Sequence, residues 1–187
     1  MAIDPGDAGS TALEHISMAL GWDPVQPRRF GRRPDIDLNA AALLFAGEQI
    51  ADVVYHEQLN SSDGSVRHLG DSVTGEGKGD NEVITVDLTR VPSQLTDIVF
   101  IVTSYAGQSF DQIDNAFCRV LDSMSGAEIA HYDLSRGTHT GLVMGKVSRA
   151  ADFWRFELLV AAIRAQHPVE AIPLVTPFLV RQTREDR

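Results

Sequence analysis

Apolar residues along this chain recur mostly in short runs with a period of two. Between Val83 and Leu88, Ile84, Val86 and Leu88 fall on one face while Val83, Thr85 and Asp87 fall on the other, which predicts a strand with one side buried. Leu95 to Tyr105 is different. It contains IVFIVTSY, a continuous β-branched and aromatic run expected of a strand covered on both faces and central to the core. Further strands are predicted at Ile16 to Trp22, Asp37 to Phe45, Val53 to Tyr55, Phe117 to Leu121, Glu128 to Leu134, Gly141 to Ser148 and Phe153 to Val160. Gly47-Glu48, Asn60 to Gly64 and Ser125-Gly126 read as turns. A helical pattern is confined to Leu158 to Gln166 and the stretch Gln108 to Asn115. These elements predict a mainly β fold, a two-sheet antiparallel β-sandwich with one or two short helices.

At 187 residues the chain is long enough for one stable core, and residues 11–187 are read as a single domain. Met1 to Ser10, small and acidic, reads as a disordered leader. The lone Cys118 has no internal partner for a disulfide and is expected in the core. No apolar run reaches a membrane span and the N-terminus lacks the pattern of a secretory signal, so a cytoplasmic protein that is not integral to a membrane is expected. The net charge of −10 and a pI near 4.9 argue against nucleic acid as a partner. The one cationic segment, Arg28, Arg29, Arg32 and Arg33, reads as a solvated run, with a partner or phosphate contact as the alternative.

The segment Gly70 to Glu82, GDSVTGEGKGDNE, crowds Asp71, Glu76, Asp80 and Glu82 among glycines, with Lys78 alone against them. Held close, these carboxylates repel unless a cation sits among them. The glycines allow carbonyl oxygens to turn toward one centre, so calcium is the natural candidate. A phosphate-binding P-loop fails because Gly79 follows Lys78, and a dinucleotide fingerprint fails because no helix pattern follows. An EF-hand frame fails too, placing Val73 and Gly75, or Ala40 and Ala46, where ligands or glycine are needed. A solvated acidic turn has the same composition. A second cluster, Asp35 and Asp37, shares one side of an extended strand, a face that Asn39 continues. Brought beside the loop, it would make six carboxylates, enough for two calcium ions.

Several motifs in order resemble the tellurium-resistance TerD family: LGWDP (Leu20 to Pro24), Asp35 to Asp37, SSDGSVRHLGD (Ser61 to Asp71), TGEGKGDNE (Thr74 to Glu82), VDLTRVP (Val86 to Pro92), FDQIDNAFCRVLD (Phe110 to Asp122) and EIAHYDLS (Glu128 to Ser135). The match is strongest over residues 17–156, and 157–187 diverge. The resemblance implies a β-sandwich with calcium-binding loops at one end, and a stress-response and tellurium-resistance role without enzymatic activity. Partners would be other Ter-family or membrane-associated stress proteins, at the inner face of the membrane. Carried across, the ligands are Asp35, Asp37, Asp71, Glu76, Asp80 and Glu82, with carbonyls at Thr74, Gly75 and Gly77. Asn81 stands where many members carry an aspartate, keeping an oxygen but losing a charge. Tyr55-His56-Glu57 also departs from the family's tyrosine and paired asparagines.

The competing reading is a calcium-dependent recognition module for lipid or glycan. The six histidines are scattered, and no HExxH or GxSxG motif points to catalysis. His68, three residues before Asp71, is expected at the rim of the site, orienting the loop by hydrogen bonding. Pro168, Pro173 and Pro177 forbid a long helix in the C-terminal segment, which is expected to pack on its own core, an extended partner-binding arm being the alternative.

Overall fold

Alternation of apolar and polar residues produces ten strands, which the computed structural model describes over residues 12–24, 35–70, 79–151 and 153–179. The expected leader and the arginine run lie outside these residues. Strands β1 (His15–Gly21), β4 (Val66–His68), β5 (Glu82–Asp87), β7 (Phe117–Asp122) and β8 (Glu128–Asp133) form one antiparallel sheet in the order β4-β5-β1-β7-β8. Strands β2 (Leu38–Ala46), β3 (Gln49–Val54), β6 (Asp97–Ser104), β9 (Gly141–Ala150) and β10 (Phe153–Ile163) form the second, in the order β10-β9-β6-β2-β3. The two pack face to face as the expected sandwich.

The core follows from the periodicities. Ile84 and Val86 of β5 point between the sheets with Met18 and Leu20 of β1, while Val83 and Thr85 are only half-buried. Strand β6 is buried at every position and occupies the centre of its sheet. Its even-numbered residues, Ile98, Phe100 and Val102, face the first sheet. Its odd-numbered Val99 and Ile101 face outward, where helix α1 (Pro168–Val175) covers them with Ala171 and Val175. Cys118 is fully buried, and burial pushes its thiol up to about 12.

Three expectations need correction. Leu158 to Gln166 is not helical: β10 runs to Ile163, pairing with β9 down to Ile163 opposite Gly141. A bulge between Leu158 and Ala161, with Val160 at φ 49°, breaks the period of two and leaves a helix-like spacing in the sequence. Gln108 to Asn115 holds only a 3-10 turn at Phe110–Gln112. Helix formation occurs instead at Pro168–Val175, short enough to tolerate Pro173. Pro168 opens that helix, the His167 imidazole accepts the Val169 N–H at 3.2 Å, and the Glu170 carboxylate accepts from the backbone N–H groups of Gln166 and His167. The C-terminal segment thus packs on its own core as a helix rather than an extended arm.

Candidate functional site

The second sheet's β2 starts just after Asp35 and Asp37, and the first sheet's β5 starts at Glu82, just after Asp80 and Asn81. One buried carboxylate brings these two starts together. The Glu82 Oε2 accepts the backbone N–H of Ala40 at 2.8 Å across the sandwich and lies 3.2 Å from His68 Nε2. Both side chains are 0% exposed. His68 Nδ1 accepts the Gly70 N–H at 3.2 Å, which leaves the ring proton on Nε2 to donate to Glu82. His68 is therefore a buried residue, bonded to Gly70 just ahead of the acidic loop and to Glu82 at the start of β5. Two residues that alternate inward on β4 and β5 join a loop, a strand and the opposite sheet.

Around this bond the chain is strapped down. Asn81 donates its N–H to Leu20 O and its Oδ1 accepts the Trp22 N–H, both at 2.8 Å. Gly21 between them admits no side chain, because a Cβ there would stand 2.4 Å from Gly79 O. Asp37 Oδ1 accepts from Asn39 Nδ2 at 3.2 Å, so these two do share a side as their spacing predicts. Both precede or open the strand: Asp35 to Asp37 lie ahead of β2 rather than within it, and Asp35 is exposed. Asn39 is 1% exposed, and its Oδ1 is buried without a hydrogen-bond partner among the described residues.

Asp80 takes another direction. Arg119 of β7 grips it with both ends of the guanidinium, Nε to Oδ1 at 3.1 Å and Nη2 to Oδ2 at 2.8 Å, while Nη1 reaches Glu128 of β8 at 3.4 Å. Cys118 and Val120 flank Arg119 and point into the core, so Arg119 and the Asp80 carboxylate lie on the outer face of the first sheet while Glu82 points inward. The hydrogen bond that Arg119 donates to Asp80 is the main cause that holds the guanidinium above its usual range. Asp71, Thr74, Gly75, Glu76 and Gly77 lie outside the described residues. Among the described residues no three His, Cys, Asp or Glu side chains are grouped so as to hold a metal ion.

Two features escaped the sequence reading. Arg119 stands in an alternating strand whose outward face was evident, but its partner comes from a loop 39 residues away. An open cavity of about 530 Å³ lies at the same end, lined by Asp111, Asp114, Asn115, Phe117, His131 and Asp133. Its acids are spread over two separate motifs, and no local spacing reveals it.

The architecture is shared with a solved homologue of telluride resistance protein TerD from Streptomyces coelicolor, at a TM-score of 0.76 over 86% of this chain and 95% of that one, with 24% identity. Tellurium resistance protein TerZ of Serratia marcescens is 42% identical over 165 residues, covering 84% of each chain. Stress response protein SCP2 of Bacillus subtilis is 34% identical over 164 residues, covering 79% of this chain and 82% of that protein. The TerD domain model matches residues 7–166. With a domain match over most of its length and relatives this similar, the chain belongs to the TerD family of tellurium-resistance and stress proteins.

Proposed function

We propose that this protein binds calcium through the acidic segments at one end of the sandwich and acts in a stress response by calcium-stabilised assembly with partner proteins, without catalysing a reaction. The observation that supports the reading is the buried Glu82 bond to Ala40, which joins the start of β5 to the start of β2, three residues after Asp37, although more than forty positions separate the two in the chain. The donors fit a hard cation, since all of them offer oxygen, and the unpartnered Asn39 Oδ1 lies two residues from Asp37. Ligands would come from Asp35, Asp37, Asn81 and Glu82 together with Asp71, Thr74, Gly75, Glu76 and Gly77. Asp80 differs from the rest in that a cation, Arg119, already holds both of its oxygens, whereas Asn81 Oδ1 and Glu82 Oε2 accept hydrogen bonds from backbone N–H groups and His68.

Bound calcium would supply charge compensation and tie the two segments together; the chain itself supplies the frame in which Glu82 and His68 fix their spacing. The names of the relatives, resistance and stress proteins, support a role outside catalysis. A cytoplasmic location, at the inner face of a membrane, is part of the same proposal; among the described residues no helix is long and apolar enough to cross one. Calorimetric titration should give up to two calcium ions per chain for the wild type and weaker binding for Asp37→Ala. Melting in calcium at a hundred times the dissociation constant should show about 2.7 kcal/mol more stability than melting in chelator. Identical melts in both would overturn the proposal, and sedimentation that ignores calcium would remove its assembly arm.

A further inference from the structure

Resting on the calcium reading above, the geometry points to Arg119 as a tethered competitor of the cation: its guanidinium holds Asp80 out of the ligand set, so the pair lowers the site's affinity for calcium. The backbone on either side of Asp80 is fixed. Gly79 O packs against Gly21, and Asn81 is bonded to Leu20 and Trp22 through both its N–H and its side chain. Asp80 therefore has only a side-chain rotation with which to choose a partner. It has chosen the planar fork of an arginine, two bonds at 2.8 and 3.1 Å, the geometry in which a guanidinium binds a carboxylate most specifically.

Arg119 is itself held in place. Glu128 takes Nη1 at 3.4 Å, and Glu128 in turn lies 3.4 Å from His131, so the guanidinium is anchored from β8 as well as from the loop. A divalent ion accepted by Asp80 would stand against that positive charge, and repulsion between them makes the two partners exclusive. The outward position of Asp80 and the inward position of Glu82 have the same meaning: consecutive acids of one motif serve different ends.

The test is calcium calorimetry on the full chain, paired with urea unfolding in chelator. Arg119→Met should bind calcium about tenfold more tightly, because one more charged ligand becomes available. Asp80→Asn alone should stay within about twofold of the wild type, and Arg119→Met combined with Asp80→Asn should lose the gain. Should Arg119→Met fold poorly, Arg119→Lys keeps the charge but loses the fork, and an intermediate gain is expected. In chelator, the four-variant cycle should show coupling between Arg119 and Asp80, a readout independent of calcium. An Arg119 that merely holds the fold together would lower calcium affinity on removal, and that result overturns the inference. Tenfold weaker binding for Asp80→Asn in the wild-type background does so too. If the wild type binds no calcium, the functional reading fails; binding by Arg119→Met alone would then still support competition, and binding by neither would end both.

Discussion

Replacing Glu82 tests whether one carboxylate joins the two sheets at the candidate site. Its Oε2 accepts the Ala40 N–H at 2.8 Å and faces His68 Nε2 at 3.2 Å, with both side chains sealed from water. Hydrogen bonds to a charged group contribute about 1.5–3 kcal/mol each, and removing one partner of a buried pair costs about 3–5 kcal/mol because the groups left behind stay desolvated. Glu82→Ala should therefore destabilise the protein by about 3–5 kcal/mol. For a chain of this size that lowers the melting temperature by roughly 6–20 °C. Glu82→Gln retains an oxygen that can accept from Ala40 and should cost only about 1–2 kcal/mol.

Both variants should be melted in chelator, where cation binding does not enter, and followed by far-ultraviolet circular dichroism. His68→Ala in the wild type and in Glu82→Ala completes a cycle, in which the second loss should be much smaller once the first partner is gone. A Glu82→Ala shift under about 2 °C would refute the argument, since a carboxylate with two buried partners cannot be removed so cheaply. Equal losses for Glu82→Gln and Glu82→Ala would refute it differently. They would show that the negative charge, rather than the bond to Ala40, carries the stability.

At Asp52, burial pushes the carboxyl up, but the N–H and hydroxyl of Ser62, the N–H of Val53 and the amide of Gln58 more than reverse this, leaving it below the ordinary 3.8. Stability from a lowered carboxylate is complete above the unfolded value and disappears as pH falls through the folded one, so the gap in melting temperature between wild type and Asp52→Asn should close below about pH 4; a gap constant from pH 7 to pH 3 would contradict this. Val160 sits in the left-handed region at φ 49° inside the β10 bulge, where a β-branched residue is strained by about 1–2 kcal/mol. Urea unfolding should rank Val160→Gly above Val160→Ala, the reverse of the order in a regular strand, and the ordinary order would show that the bulge is not strained.

How far the fold could be read from the sequence depended on whether periodicity survived. Strand β5 alternates cleanly and β6 is apolar without a break from Ile98 to Val102, so both are readable, including the central place of β6. Strand β10 is not legible past Leu158, because one bulge shifts its alternation and backbone pairing with β9 overrides the helix propensity of Leu and Ala. For the site, the two acidic clusters are legible in the sequence as charge, but the bond that joins the starts of β2 and β5 is not: Glu82 looks like any other acid of its motif until the inward parity of β5 gives it Ala40 and His68. Asp80 shows the limit more sharply. Two positions from Glu82, with the same charge and among the same glycines, it ends on the opposite face of the sheet because Arg119 stands there on a strand paired to β1. A local motif counts carboxylates, whereas the register of strands distant in the chain decides which of them a cation could reach, and that register is written in the hydrophobic pattern of the whole sheet rather than in the acidic loop.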